Sequence, residues 1–244
     1  NGGAISVGKT GSASGDGAVA GDQTGNSFII YNCDIHDNKA GGQGGGVYFN
    51  DYAYYSKSGY VYVSYVERKN VSIRGGSIYA NESDKEGGGF YFGGFVSGGQ
   101  NNILFIQGNV QIYANYQYSS STKEYDKLSN LYLADSQNND SNFRLDVIGP
   151  FSANARVGIS SASRNTAYTG SSTNYKPKES FAHLTETDYN AARASMAALS
   201  NDVNPQLYID SVGQKGTTPD LVWRSDPNIC QIYGKSTYKS LGEA

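Results

Sequence analysis

Phe28-Ile-Ile-Tyr-Asn-Cys-Asp-Ile-His-Asp-Asn38, with Gly44-Gly-Gly-Val-Tyr-Phe49 after it, decides the fold because the chain repeats it. The second copy is Val71-Ser-Ile-Arg-Gly-Gly-Ser-Ile-Tyr-Ala-Asn81, with Gly87-Gly-Gly-Phe-Tyr-Phe92 after it. The copies align without gaps, and both the asparagine and the triple glycine recur after 43 residues. A fixed period of this size is the signature of a repeat protein.

Weaker copies lie on both sides of these two units. Leu104 to Asn115 is a third unit with one inserted residue, and Leu128-Ser-Asn-Leu-Tyr-Leu133 stands where its triple glycine is expected. Gly2-Gly-Ala-Ile5 matches the start of the same strand one unit earlier, so we expect the sequence to be part of a longer protein. Segment 141–160, with alternating apolar residues, predicts a further unit.

No single unit can bury an apolar face alone, so the units are expected to stack in parallel. Matching isoleucines would then line up in interior columns: Ile30, Ile35, Ile73, Ile78, Ile106 and Ile112. Asn38, Asn81 and Asn115 would form a side-chain ladder, or each would supply a left-handed turn residue. The predicted fold is all-β: a right-handed parallel β-helix with inserted loops and one C-terminal helix.

The rest of the chain is assigned around this stack. Residues 8–26 are predicted to be a polar loop, and 50–66 a hairpin or outward tongue. Residues 1–160 are predicted to hold the β-helix, and 161–244 a loop, a helix and capping strands of the same domain. The helix is predicted over 185–200, from a Thr185-Glu-Thr-Asp188 cap and an apolar stripe. That stripe comprises Tyr189, Ala192, Met196 and Leu199. With strands at 205–209 and 220–223, it would cover the open end.

Composition excludes some functions. The net charge is -3 with 17% charged residues, and no basic face is visible, so nucleic acid is not an expected partner. No apolar run approaches the roughly 18 residues that span a bilayer. Cys33 and Cys230 are too few for a zinc site; free thiols are favoured over a disulfide.

The repeats resemble those of polymorphic outer-membrane proteins, which carry Phe-x-x-Asn and Gly-Gly-Ala-Ile motifs on a pectin-lyase-like β-helix. The counterparts here are Ile35-His-Asp-Asn38, Ile78-Tyr-Ala-Asn81, Ile112-Tyr-Ala-Asn115, Gly2-Gly-Ala-Ile5, Gly44-Gly-Gly-Val47 and Gly87-Gly-Gly-Phe90. Isoleucine replaces the phenylalanine, and we expect no autotransporter barrel in this sequence. The resemblance implies display at the bacterial surface or secretion, and often adhesion.

Three groups of residues are candidates for chemistry. Asp34, His36 and Asp37 crowd one strand, and alternation turns Asp34 and His36 outward. A solvated polar surface is the favoured interpretation there; catalysis or metal binding is the alternative. His183 has no visible partner and is expected to be a surface or cap residue. The triple glycines lack the Lys-Ser/Thr of a phosphate loop and are interpreted as turns.

The tyrosines are the candidate binding residues, because amphipathic rings with a hydroxyl suit sugars and protein partners alike. A purely structural role on a pleated surface is the alternative. The candidates are Tyr52, Tyr54, Tyr55, Tyr60, Tyr62, Tyr79 and Tyr113. We therefore expect a non-catalytic extracellular module, an adhesin or stalk that needs no cofactor, with a host or matrix glycan or protein as ligand. The alternatives are a polysaccharide lyase or glycoside hydrolase and a structural spacer.

Overall fold

The computed structural model describes residues 2–8, 12–14, 27–50, 53–57, 60–64, 70–93, 103–134, 144–162, 165–167, 181–184, 197–212, 220–225, 230–231 and 237–238. Every element of two or more residues in these ranges is a β-strand, and Ala197 is the one helical residue among them, so the all-β class is confirmed there. Strands that belong to successive repeat units pair in parallel and form three rows.

The first row contains the strands that carry the paired isoleucines. It comprises β3 (Ser27–His36), β8 (Asn70–Tyr79), β11 (Ile103–Tyr113), β15 (Arg144–Phe151) and β17 (Ala182–Leu184). Ile30 is the register partner of Ile73, and Ile35 is the register partner of Ile78. Ile73 and Ile78 in turn partner Ile106 and Ile112 on β11. The predicted alignment of repeat positions is therefore confirmed.

The second row contains the strands that follow the glycine motifs. It comprises β1 (Ile5–Gly8), β5 (Val47–Asn50), β10 (Phe90–Gly93), β14 (Leu131–Leu133) and β16 (Arg156–Ser161). Ile5 partners Val47, as expected for a matching strand one unit earlier. Val47 partners Phe90, and Phe90 partners Leu131, so the register survives the loss of the third glycine motif.

The third row lies between the other two and is short. It comprises β4 (Lys39–Ala40), β9 (Glu82–Ser83) and β12 (Tyr116–Ser119), which pair in parallel, and β13 (Glu124–Leu128), which turns back antiparallel to β12. The fourth unit omits this row. Within β16, Val157 partners Ile112 of the first row, and Ile159 partners Leu131 of the second.

The core is formed by the inward side chains of the first and second rows. Ile73, Ile78, Phe49, Phe90 and Phe92 are each at most 1% exposed. The Phe49 and Phe92 rings stack with centroids 5.3 Å apart. Burial of this kind contributes about 1.5–3 kcal/mol for each large apolar side chain, and the contacts join residues one repeat apart. Burial therefore stabilises the stacking of units rather than any unit alone.

Close packing explains the triple glycines. A Cβ added at Gly45 would lie 2.2 Å from the Gly88 carbonyl oxygen, and one at Gly88 would lie 2.4 Å from the Tyr116 carbonyl oxygen. Gly44 and Gly87 add left-handed φ angles of 71° and 73°. Glycine is thus required both for backbone approach and for the turn, which agrees with the prediction.

The remaining strands lie beside and beyond the rows. β2 (Ser12–Ser14) pairs in parallel with β6 (Ala53–Lys57), and β6 forms an antiparallel hairpin with β7 (Tyr60–Ser64). The hairpin expected within 50–66 is confirmed. The prediction of a loop throughout 8–26 is wrong at Ser12–Ser14, because backbone pairing with β6 makes those residues a strand.

The carboxyl-terminal strands end the parallel order. β18 (Leu199–Asn201) continues in parallel from β16, but β20 (Asp220–Arg224) pairs antiparallel with β17 and with β19 (Tyr208–Val212). β21 (Cys230–Gln231) and β22 (Thr237–Tyr238) form a separate antiparallel pair. The strand expected at 220–223 is confirmed, whereas the one expected at 205–209 begins only at Tyr208, because Pro205 and Gln206 form a turn. The antiparallel pairing of β19 and β20 ends the parallel row at β17.

The predicted helix over 185–200 needs correction at its end. Leu199, expected on its apolar stripe, lies in β18 and partners Val157 of the preceding unit. Tyr189, Ala192 and Met196 lie outside the described residues. Helical spacing in the sequence assigned Leu199 to the helix. In the structure its backbone pairs with β16, and its side chain is buried there.

Candidate binding face

The outer face of the first row carries two parallel lines of side chains. Alternation along the strands turns Asp34 and His36 away from buried Ile35, as predicted. The register then defines a polar row of Asp34, Ser77, Gln111 and Arg156, and an aromatic row of His36, Tyr79 and Tyr113. Adjacent positions in each row are about 4.8 Å apart, the spacing of neighbouring strands. We call these two rows the binding face.

The aromatic row is a continuous stack. His36 and Tyr79 have ring centroids 4.9 Å apart with planes 16° from parallel, and Tyr79 and Tyr113 have centroids 5.5 Å apart at 9°. Tyr79 therefore has a ring against each face. A ligand cannot lie flat on Tyr79; it can reach the ring edge and the phenol hydroxyl.

His36 begins the aromatic row. Its Nδ1 lies 2.6 Å from Asp37 Oδ2, and its side chain is 44% exposed. Asp37 has a left-handed φ of 56°, as do the matching Ala80 and Ala114 at 52° and 49°. This backbone turn places the Asp37 carboxylate beside the imidazole and holds the imidazole ring against Tyr79.

Arg156 covers the other end of the aromatic row. Its guanidinium carbon lies 3.3 Å from the centroid of the Tyr113 ring, and its Nε donates to Gln111 Oε1 at 3.2 Å. The arginine thus belongs to the polar row by register but leans across to the aromatic row. It remains exposed to solvent.

The other predicted binding residues have side chains outside the described part of the structure. Tyr54, Tyr55, Tyr60 and Tyr62 lie on the β6–β7 hairpin, and their side chains are outside the description. Tyr52 lies outside the described residues altogether. The binding face therefore contains Tyr79 and Tyr113 of the seven tyrosines predicted.

A second aromatic row was missed from the sequence. Tyr48 and Tyr91 stack with centroids 5.3 Å apart, and Tyr91 and Tyr132 with centroids 5.6 Å apart. The row lies outside the second row of strands, where these residues alternate with buried Val47, Phe90 and Leu131. Its signal was a tyrosine at the same offset in each unit, which the cluster of tyrosines at 52–65 obscured.

The asparagine ladder is confirmed and is longer than predicted. Asn38 Nδ2 donates to Asn81 Oδ1 at 2.9 Å, and Asn81 Nδ2 donates to Asn115 Oδ1 at 2.8 Å. The side-chain Nδ2 and the backbone N–H of Asn115 both donate to Asn130 Oδ1. The side-chain Nδ2 and the backbone N–H of Asn130 in turn donate to the Asp202 carboxylate. The left-handed residue of each turn is the one before the asparagine, so the turn-residue alternative is wrong.

Asp202 ends the ladder as an acceptor. Its two carboxylate oxygens accept from the Asn130 backbone N–H at 2.7 Å and from Asn130 Nδ2 at 2.8 Å. Burial raises the pKa of this carboxyl to about 6, although the two hydrogen bonds from Asn130 lower it. Gly158 makes room, since a Cβ there would lie 2.1 Å from Asp202 Oδ1.

A histidine and an aspartate meet elsewhere on the first row. Asp146 and His183 are register partners on β15 and β17, with His183 Nδ1 3.6 Å from Asp146 Oδ1. Both side chains are largely buried, at 16% and 4% exposure for His183 and Asp146. The prediction of an unpartnered surface His183 is wrong, because stacking of the units brings Asp146 beside it.

Cys33 is an exposed free thiol, as favoured from the sequence, while the Cys230 side chain is outside the description. No group of three or more His, Cys, Asp or Glu side chains is arranged around a common metal position within the described ranges. No helix of the described part combines the length and apolarity needed to cross a bilayer.

Comparison with protein-family models, with curated proteins and with solved structures finds no match for the chain.

Proposed function

We propose that this protein is a non-catalytic extracellular module of a larger bacterial cell-surface protein. The stacked units would form a right-handed parallel β-helix that presents the binding face to a host or matrix ligand, as an adhesin or ligand-binding stalk does. The parallel register of three successive units supports the β-helix. The binding face supports the ligand-binding role, and it is the observation on which the proposal depends.

The chemistry of the binding face favours a hydroxyl-rich ligand. The stacked rings offer edges and phenol groups, and the polar row offers a carboxylate, a hydroxyl, an amide and a guanidinium. Such groups exchange hydrogen bonds with sugar hydroxyls and tolerate water between the partners. Because the stack already orders the rings, little side-chain entropy is lost on binding.

An enzyme is the second candidate, and the Asp146–His183 pair is the feature that favours it. A carboxylate next to an imidazole can hold the ring for proton transfer. A polysaccharide lyase or glycoside hydrolase would place its substrate beside this pair rather than along the aromatic row. The two candidates therefore predict different sensitive residues.

A glycan array combined with a polysaccharide-degradation screen separates these functions. Binding without turnover, weakened by Tyr79→Ser, supports the proposal. Tyr91→Ser is the matched control, because Tyr91 also lies between two stacked rings but belongs to the second aromatic row. Turnover abolished by His183→Ala contradicts the proposal in favour of the enzyme, and the absence of both activities leaves a structural spacer.

A further inference from the structure

The guanidinium of Arg156 is held in place by two neighbours of the preceding unit. The Tyr113 ring lies under it at 3.3 Å, and Gln111 Oε1 accepts from its Nε at 3.2 Å. Stacking fixes the plane of the group, and the hydrogen bond fixes its rotation within that plane. The arginine is therefore ordered before any ligand arrives.

The outer edge of this guanidinium keeps its donors. Arginine has five N–H donors, and the Gln111 contact uses only the one on Nε. Arg156 is exposed, and no carboxylate of the described ranges forms an ion pair with it. Its four Nη donors therefore face solvent without a described acidic partner.

The acidic residue of the same row is too far away to neutralise this charge. Asp34 lies three positions along the polar row, a separation of about 14 Å at the spacing of parallel strands. That exceeds the screening length of about 8 Å at physiological ionic strength. The binding face thus has a positive end at Arg156 and a negative end at Asp34, with the Asp37 carboxylate next to that end beside His36.

We infer that Arg156 binds the anionic group of an acidic polysaccharide, a carboxylate or sulfate ester, with the sugar chain along the binding face. This inference rests on the proposed function and specifies its ligand class. The planar fork of arginine matches both anions through two parallel N–H···O bonds. The Tyr113, Tyr79 and Gln111 side chains beside it would contact the sugar hydroxyls.

A polysaccharide fits this surface better than a protein partner. Protein interfaces depend on large side chains buried in well-packed pockets. The two rows instead present polar groups and ring edges in regular steps, with no apolar residue among their seven members beyond the stacked rings themselves. One ion pair supplemented by many hydroxyl contacts is the expected mode.

The test measures binding to hyaluronan, which carries carboxylates, to its carboxyl-reduced neutral form, and to chondroitin sulfate. We expect wild-type protein to bind both acidic polymers at least tenfold more tightly than the neutral form. Arg156→Gln should remove that preference. Arg156→Lys should retain only part of it, because lysine keeps the charge but lacks the two parallel N–H donors of the guanidinium. Lys127→Gln, which removes an exposed cation on β13, should leave binding unchanged.

The contrary outcomes are distinct. Equal binding of the acidic polymers and the neutral carboxyl-reduced polymer, or equal effects of Arg156→Gln and Lys127→Gln, overturns the acidic-ligand inference and leaves a neutral-glycan adhesin possible. Failure of every polymer to bind wild-type protein contradicts the binding function itself. Poly-glutamate binding as tight as hyaluronan, with the same dependence on Arg156, rejects the polysaccharide in favour of an acidic protein. Matching thermal unfolding of wild type and variants verifies that all are folded.

Discussion

The side-chain amide of Asn81 donates to Oδ1 of Asn115 at 2.8 Å, one repeat unit further along the stack. The same amide donates to the Tyr79 and Ile35 carbonyls at 2.9 Å, so it joins the unit before it to the unit after it. Asn81 is completely buried. A buried amide with all of its partners stabilises one arrangement of the units, because any shift in register would leave it unpaired.

Asn81→Ala should lower the free energy of unfolding by about 2–4 kcal/mol, because the Asn38 donors and the Ile35 carbonyl would lose a buried partner. Asn38→Ala is the control; Asn38 is only partly buried, and the loss should be about 1 kcal/mol. Urea unfolding measures both. Equal losses would show that the ladder does not stabilise the stack.

Ile78→Ala should lower the free energy of unfolding by about 2–5 kcal/mol, since Ile78 is 1% exposed and packs between Ile35 and Ile112. Ile29→Ala removes the same atoms from a residue that is 44% exposed, and should cost less than about 1 kcal/mol. Chemical denaturation of the two variants compares an inward with an outward isoleucine. A larger loss of stability for Ile29→Ala than for Ile78→Ala would contradict the assignment of Ile78 to the core and of Ile29 to the outer face.

Gly88→Ala should be destabilising by about 1–3 kcal/mol or more, because the new Cβ would lie 2.4 Å from the Tyr116 carbonyl oxygen, a backbone atom. Gly41→Ala is the control, since its nearest neighbour would be Asp84 Oδ2 at an ordinary 3.7 Å. Thermal unfolding of both variants measures the difference. A Gly88 variant as stable as the Gly41 variant would contradict the close approach of adjacent units.

Asp202 predicts a pH dependence of stability. Burial raises its pKa to about 6 in the folded protein, above an ordinary value of about 4, so the folded state binds the proton more tightly. The penalty for holding the ionised carboxylate is therefore fully present above pH 6 and disappears as the pH falls towards 4. It corresponds to about 3 kcal/mol at neutral pH.

Asp202→Asn should remove this dependence, so that unfolding free energies measured between pH 4 and pH 7 differ less for the variant than for wild type. The remaining slope reports other groups. An unchanged slope in the variant would show that Asp202 titrates normally in the folded protein.

The 43-residue period was sufficient to predict which residues stack. Ile35 and Ile78, and Asn38 and Asn81, occupy the same positions because identical local sequences form identical strands and turns. The period could not predict Asn130 and Asp202, which continue the ladder after intervals of 15 and 72 residues. Their places depend on the fourth unit omitting its turn, which a repeat count cannot show.

The candidate site was only partly predictable for the same reason. Strand alternation turned Asp34, His36 and Tyr79 outward, but it could not show that the rings stack face to face. Nor could it show Arg156 over Tyr113, since that contact depends on the fourth unit omitting the third row, which brings β16 beside β11. His183 lacked a visible partner in the sequence because Asp146 is distant along the chain and near only across the stack.

The most direct test of the stacked units is chemical crosslinking across the binding face. Asp34→Cys with Ser77→Cys, in a background with Cys33→Ser and Cys230→Ser, places two thiols on register partners in neighbouring strands. Dibromobimane, which bridges adjacent thiols, should give an intramolecular fluorescent adduct with this pair. It should give none with Asp34→Cys and Gln111→Cys, two positions apart at about 10 Å. No adduct for the adjacent pair, or equal yields for both pairs, would contradict the stacking on which the binding face and both proposals depend.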